Sequence, residues 1–262
     1  MIVGQEIDRK KEILKLLDSK GKVNTKELVK RLEVSSETIR RYLEELENEN
    51  KLKKVYGGAI KINYGVIEPE HIKRNNTNLD KKQSIAKYAA KFVNDNESII
   101  IDEGTTNLQI VDYIISVNNL KIITNSYPVL SKLISYENQG LFDGEVIFIG
   151  GKVNLKHQRT ACPMSIDTMK NLYVDKAFIS SEGILDSFGI SSIDQNKALL
   201  SKAYIKNSKE SFVLCDSSKI GIASMYKIAD LEELDFVICD VEPPNEWKDK
   251  LNEINITWIE AK

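Results

Sequence analysis

Cysteine is scarce: Cys162, Cys215 and Cys239 are three in 262 residues, odd in number, far apart and with no CxxC pair. That excludes a disulfide framework and leaves no zinc-ligand spacing; Cys215 and Cys239, each inside an apolar run, read as small core residues. Histidine is scarcer, with only His71 and His157, so no metal site is expected and both are read as surface residues. No apolar run is long enough to span a bilayer and no signal-peptide pattern is present, which reads as a cytoplasmic chain away from membranes. Nor is there an excess of one charge: 37 Lys and Arg stand against 39 Asp and Glu, so contact with nucleic acid has to come from local placement. What is there is ordinary globular composition, 42% hydrophobic and 29% charged, in a chain long enough for two domains.

The charge is unevenly placed. Residues 1–60 hold 14 Lys and Arg against 11 Asp and Glu, leaving 23 against 28 for residues 61–262. Within the basic part, Ile39, Leu43 and Leu46 recur at helical spacing as a narrow apolar seam, and Glu37, Arg41, Glu44 and Asn48 face the other way. Ser35 stands where it can cap this helix and leave first-turn amides pointing outward. Upstream, Ile13, Leu14, Leu16 and Leu17 read as an amphipathic helix over residues 11–19 that Gly21 ends, and residues 25–32 read as a second helix with Leu28, Val29 and Leu32 inward. Only Glu33 and Val34 join it to the capped segment, which reads as helix-turn-helix with the later helix as recognition helix. Residues 51–60, alternating and basic around Gly57-Gly58, read as a β-hairpin wing. Double-stranded DNA is the partner this pattern points to. Ser35, Ser36, Glu37, Thr38, Arg40 and Arg41 would approach it from the recognition helix, and Lys51, Lys53, Lys54 and Tyr56 from the wing. An ordinary helical subdomain with a solvated charged face is the alternative that spacing alone leaves open.

The expected domains are 1–62, a reading head; 63–79, a linker rich in turn formers; and 80–262, where the pattern changes to α/β. Six β-branched or apolar runs, near residues 98–102, 120–125, 146–151, 176–180, 211–216 and 236–240, alternate with helix-length segments and imply βαβ units, a mostly parallel sheet and a Rossmann-like architecture. Ligands of such sheets bind beyond the carboxyl ends of strands. Those ends here carry Asp102, Gly104, Thr105 and Thr106; Asn125 and Ser126; Gly150 and Gly151; Glu182 and Gly183; and Lys219. Turns and caps account for any one of these loops. Together they point to one pocket, with amides at Gly104–Thr106 and the charge of Lys219 suited to an anion.

These residues also carry a resemblance. From Asp8-Arg9 through Thr38-Ile39-Arg40-Arg41 to Val55-Tyr56-Gly57-Gly58-Ala59, the chain is similar to the winged helix-turn-helix of DeoR-family transcriptional regulators. Asp102-Glu103-Gly104-Thr105-Thr106, Thr124-Asn125-Ser126, Gly150-Gly151, Val174-Asp175-Lys176-Ala177-Phe178 and Asp216-Ser217-Ser218-Lys219 resemble that family's sensor landmarks in their order. The resemblance implies a regulator, usually a repressor, of a carbohydrate-metabolism operon. Its C-terminal domain would resemble a ribose-phosphate isomerase fold and bind a phosphorylated sugar. Lys82 matches a lysine common in the family before the first sensor helix, and would help hold the anion. No cofactor is implied. Two chains would pair, as dimer or tetramer, to place recognition helices roughly 34 Å apart in successive major grooves.

The sequence departs from the family at four places. Glu103 replaces a common Ser in the loop expected to hold phosphate, so either Glu103 turns away or no phosphate is held there. Glu182-Gly183 stands for Asp-Gly, Ala161-Cys162-Pro163 for Val-Gly-Pro, and Tyr42 for an Asp, where packing is the expected role. Two alternatives remain: a regulator that has lost effector sensing, and a sugar-phosphate isomerase-like enzyme using Asp102, Glu182 or Asp194. The isomerases' paired aspartates and lysine loop have no match at residues 180–186, which argues against catalysis.

Overall fold

The computed structural model describes residues 2–49, 51–61 and 71–262. Helix α1 (Ile2–Lys20) leads into strand β1 (Lys22–Asn24), helices α2 (Thr25–Leu32) and α3 (Ser36–Asn48), and the hairpin β2 (Lys53–Val55) and β3 (Gly58–Ile60). α1 starts well before residue 11 because Gln5, Glu6, Arg9 and Lys10 favour helix and no proline interrupts them. α2 is capped by Asn24 Oδ1, which accepts from Lys26 N at 2.8 Å, and α3 by Ser35 Oγ, which accepts from Thr38 N at 3.1 Å. Ile13, Leu17, Leu28, Ile39, Leu43, Leu46 and Leu52 close into one small core. Tyr42 joins it at 2% exposure, with the Lys10 and Arg41 cations 5.7 and 5.4 Å from its ring centre, so packing is the role it takes. The wing is a three-stranded sheet in the order β1-β3-β2; the hairpin was legible, and β1 completes it.

Residue 62 and the first part of the expected linker, 63–70, lie outside the described residues, and the rest of it, 71–79, carries a helix. Helix α4 (His71–Asn76) packs on the C-terminal domain and is followed by α5 (Leu79–Ala89). His71 is 5% exposed, not a surface residue; its amide donates to the Lys156 carbonyl at 3.3 Å and its ring goes inward with the helix. The strands β4 (Ser98–Ile101), β5 (Lys121–Thr124), β6 (Glu145–Phe148), a small hairpin β7 (Val153–Asn154) and β8 (Arg159–Thr160), β9 (Val174–Ser180), a second hairpin β10 (Gly183–Leu185) and β11 (Gly189–Ser192), β12 (Ser208–Leu214), β13 (Tyr226–Ala229), β14 (Phe236–Cys239) and β15 (Thr257–Glu260) follow. Between them come α6 (Val111–Ile114), α7 (Tyr127–Asn138), α8 (Pro163–Met169), α9 (Gln195–Lys206) and α10 (Lys248–Glu253).

Seven strands form one parallel sheet in the order β15-β14-β12-β9-β4-β5-β6. Each strand feeds both faces: Ile100 and Val213 enter one core, Ile99, Ile101, Phe212 and Leu214 the other, so helices cover both sides. The chain winds outward from β4 to β6, returns to β9 beside β4, and then winds the opposite way. That reversal leaves a crevice between β4 and β9 at their carboxyl ends, where doubly wound folds place ligands. β10, β11 and β13 form a separate antiparallel sheet over this end. Among the described residues, no helix is long and apolar enough to cross a membrane.

The reading head abuts this second sheet. Ile60 lies in the same core cluster as Ile184, Leu185 and Phe188, and Val55 packs against it. At the joint, Gly21 has φ +72° and its missing Cβ would stand 2.0 Å from the Gly221 carbonyl oxygen. Only glycine fits both demands. Gly21→Ala is expected to destabilise the protein by about 2 kcal/mol or more, read as a lowered urea midpoint; an unchanged midpoint would show that the two backbones separate at no cost.

Candidate functional site

Two regions gather the chemistry. On the reading head, Ser36, Glu37, Arg40 and Arg41 are exposed along α3, and Thr38 is half-buried with its hydroxyl 2.9 Å from Ser35 Oγ. Arg41 pairs with Glu45 at 3.7 Å, Lys51 with Glu49 at 2.6 Å and Lys54 with Glu44 at 3.6 Å. All three pairs are substantially solvated, so they can exchange partner for phosphate at little cost. Tyr56 is fully exposed at the wing tip, and Lys53 is exposed with its ammonium 5.2 Å from the centre of the Phe188 ring.

The second region is a cavity of about 300 Å³ at the β4/β9 crevice. Of the residues singled out from sequence, Lys82, Gly104, Thr105, Thr106, Glu182 and Lys219 line it. Gly104 has φ +140° and a Cβ there would meet Ser180 Cβ at 2.7 Å, so glycine is what lets the loop after β4 close on the end of β9. Lys82 is 5% exposed, not solvated; burial, with Lys219 and Arg74 nearby, outweighs Asp216 and brings its ammonium down to about 8. Its Nζ donates to the Arg74 carbonyl.

The other strand-end residues do not reach the cavity. Strand order explains four of them: β5 and β6 lie on the far side of β4, so the loops that carry Asn125, Ser126, Gly150 and Gly151 miss the crevice. Asn125 holds Glu103 N at 3.2 Å and the Thr160 carbonyl at 2.8 Å, and Ser126 caps α7. Gly150 and Gly151 face α8, where a Cβ on Gly151 would meet Cys162 Sγ at 2.6 Å. Gly183 is packed under the Ile222 backbone. Asp102 is fully buried, accepting from Ser201 Oγ at 2.8 Å and Ser180 N at 3.2 Å; burial raises it to about 6.

Glu103 turns away from the cavity into the protein. Its Oε1 meets Arg159 Nη1 at 2.7 Å and Lys197 Nζ at 3.8 Å, and its Oε2 lies 3.6 Å from Arg74 Nη2. Burial alone would raise this carboxyl; Arg159, Lys197 and Arg74 outweigh it and hold it down at about 2. The cluster extends from Lys197 to Glu182 at 3.6 Å and from Arg159 to Asp194 at 3.5 Å. Lys197 also donates to the Ser180 carbonyl at 3.0 Å.

Residues 9–64 match the DeoR-like helix-turn-helix domain and residues 77–241 the DeoR C terminal sensor domain. The chain belongs to the DeoR family of transcriptional regulators. Over 89% of its length it is 33% identical to the lactose phosphotransferase system repressor of Staphylococcus epidermidis, covering 91% of that protein. Over 92% of its length it is 28% identical to the glycerol-3-phosphate regulon repressor of Escherichia coli, covering 93% of it. Ribose 5-phosphate isomerase A from Methanocaldococcus jannaschii superposes on 55% of the chain, and by 55% of its own, with TM-score 0.40 and 18% identity, a likeness too slight to carry anything about chemistry.

This DeoR-family protein is therefore a DNA-binding regulator with an effector-sensing domain, not an enzyme. The three carboxylates considered for catalysis have other work. Asp102 ties β4 to β9 and α9, and Asp194 caps α9 by accepting from Lys197 N at 2.9 Å, while Glu182 belongs to the cavity wall and the charge cluster. Sequence reasoning missed Arg74, Thr77 and Asn78, cavity residues hidden in what read as linker, and Ser181 and Asp216 beside residues it did name. Asp216, at the carboxyl end of an apolar run, carried a usable signal; it accepts from Asn78 Nδ2 at 3.3 Å and braces Ser218 N at 2.9 Å.

Arg159→Met would leave Glu103 with only its two longer partners. A loss of about 3 kcal/mol at pH 7 is expected. Because the native Glu103 carboxyl sits below its ordinary 4.5, its contribution is complete above that pH and fades as pH falls toward 2, so the loss should shrink across that window. Urea unfolding at pH 7, 4.5 and 3 reads it; a loss independent of pH would assign the effect to packing.

Proposed function

We propose that this regulator is a repressor of a carbohydrate-metabolism operon and that a phosphorylated sugar in the β4/β9 cavity controls it. The observation that carries the reading is the cavity itself: Lys82, Lys219 and Arg74 share one wall system with the amide and hydroxyl groups of Gly104, Thr105 and Thr106. Cations beside backbone amides and hydroxyls suit a phosphate monoester. Glu182, Asp216, Ser181 and Ser224 add acceptors and hydroxyls of the kind that bind a polyol. The names of two relatives, repressors of a lactose phosphotransferase system and of a glycerol-3-phosphate regulon, point the same way. The alternative in which Glu103 abolishes anion binding is disfavoured by its inward turn, since its charge is met by Arg159, Lys197 and Arg74.

On DNA, two chains would pair so that α3 of each enters successive major grooves roughly 34 Å apart, with Ser36, Thr38, Arg40 and Arg41 nearest the bases and Lys51, Lys53 and Lys54 on phosphates. Arg41→Ala is expected to weaken selected DNA by about 1–3 kcal/mol while leaving random DNA less affected. Equal losses on both, measured by fluorescence anisotropy, would make Arg41 a phosphate contact.

The effector half is tested by calorimetry with a panel of aldose and ketose phosphates, followed by anisotropy on DNA selected from random sequence. One sugar phosphate should bind and shift the DNA affinity, and Lys219→Ala should weaken that binding. Because Lys82 loses its proton near 8, affinity should hold from pH 6.5 to 8 and fall above it, with a proton taken up on binding. Selective DNA binding that no sugar phosphate binds to or alters would refute the effector assignment.

A further inference from the structure

The cavity and the reading head share two short pieces of backbone. The first is residues 216–224, where Asp216, Ser218, Lys219, Ile222 and Ser224 line the cavity. In their midst Gly221 lies against Gly21, at the turn where α1 gives way to β1. Gly21 in turn holds both sides of the head, donating to the Leu17 carbonyl at 2.9 Å and accepting from Lys61 N at 2.8 Å. The second piece is the β10–β11 hairpin. It begins next to Glu182 in the cavity wall, and its turn carries Asp186, which meets Lys22 Nζ at 2.5 Å, and Phe188, which lies under Lys53. The two pieces are bound to each other: Gly221 N donates to the Ile184 carbonyl at 2.9 Å, and Ser224 N to Ser191 Oγ at 2.8 Å. No cavity residue on either piece is more than six positions from a contact with the reading head.

We infer that the β10–β11 hairpin and residues 216–224 form a relay within one chain, carrying cavity occupancy to the DNA-binding unit through Gly221 on Gly21, Asp186 on Lys22 and Phe188 on Lys53. This rests on the cavity being the effector site. A ligand that draws Lys219 and Glu182 together moves the ends of both pieces. The close backbone contact at Gly21, where not even a methyl group fits, passes that movement to the turn from which β1 and the wing depart. Lys53 links the relay to the DNA face directly, since the cation over Phe188 is one of those placed to meet phosphate. The control is then exerted on each head separately, and does not require the two sensor domains of a pair to change their spacing.

The test uses the full-length protein with Asp186→Asn, which keeps the side chain's shape, and with Asp186→Asn combined with Phe188→Leu. Neither residue lines the cavity. Calorimetry with the sugar phosphate that binds the wild type should give an affinity within about twofold for both variants in the absence of DNA. Anisotropy on the selected DNA should show that the ligand-induced change, on the order of 5- to 150-fold for a typical coupling, falls toward one in the double variant. A variant that binds ligand normally and keeps the full change overturns the relay while leaving the effector site intact. If no sugar phosphate binds the wild type, the effector reading fails, and the relay is decided by hydrogen exchange. Lys219→Ala should then speed exchange of the Gly21 and Lys61 amides, and unchanged exchange at both overturns it.

Discussion

The buried meeting of Glu103 with Arg159 is the contact on which the sensor end of the molecule depends. Both side chains are 1% exposed and 2.7 Å apart, so neither can be left without the other except at a cost of several kcal/mol. Arg159 comes from β8, Glu103 from the loop after β4, Lys197 from α9 and Arg74 from α4. Four elements therefore have to dock together for the charges to be satisfied. A pair of this kind adds little net stability over a well-packed apolar substitute. Its effect is positional: it pins the loop after β4, and with it Gly104, Thr105 and Thr106, at the mouth of the crevice. It also takes a carboxylate that could have faced the cavity and commits it to the interior.

The same economy of contacts appears where the two halves of the chain meet. The reading head has a small core of its own, built by Ile13, Leu17, Leu28, Ile39 and Leu43, yet Ile60 at its last strand belongs to the larger core of the sensor domain. Shared apolar burial of that sort fixes an orientation more firmly than a solvated ion pair does. The Lys22–Asp186 pair and the Gly21–Gly221 approach then act on a joint that is already seated, which is why small backbone movements at either glycine have no slack to disappear into.

Legibility followed the strength of local signals. α2 and α3, with the Ser35 cap and the Ile39–Leu43–Leu46 seam, were written in helical period and a short joint, and six of the seven strands of the parallel sheet in apolar, β-branched runs; the edge strand β15, with Thr257 and Glu260 at its ends, was not. β1, β7, β8, β10 and β11 are two to four residues long and exist because a neighbour completes them, so no run of residues announces them. At the cavity, residue types were readable and strand order was not. Sequence places Asn125, Gly150 and Glu182 alike at strand ends, and only the return of the chain to β9 beside β4 separates Glu182, at the crevice, from the other two. Arg74 and His71 were obscured by turn-forming neighbours around a helix of six residues, too short to show a period.

With Glu103 turned inward, the charges left on the cavity wall are Lys82, Lys219 and Arg74 against Glu182 and Asp216. Arg74 divides its guanidinium between Glu103 at 3.6 Å and Glu182 at 4.0 Å, and Asp216 is engaged with Asn78 and Ser218. The two lysines are thus the cations least committed to neighbouring carboxylates on that wall, and Ser181 Oγ and Glu182 Oε2 are buried polar atoms there with no hydrogen-bond partner among the described residues. Both atoms are closed off from solvent, so they brace the wall from behind and are not open to a ligand as it stands. A bare phosphate and a sugar phosphate would both answer the lysines. If the cavity is the effector site, discrimination between the two follows from the polar groups that line the rest of the wall, Thr105, Thr106, Asp216 and Ser224 among them, more than from the lysines that attract both ligands.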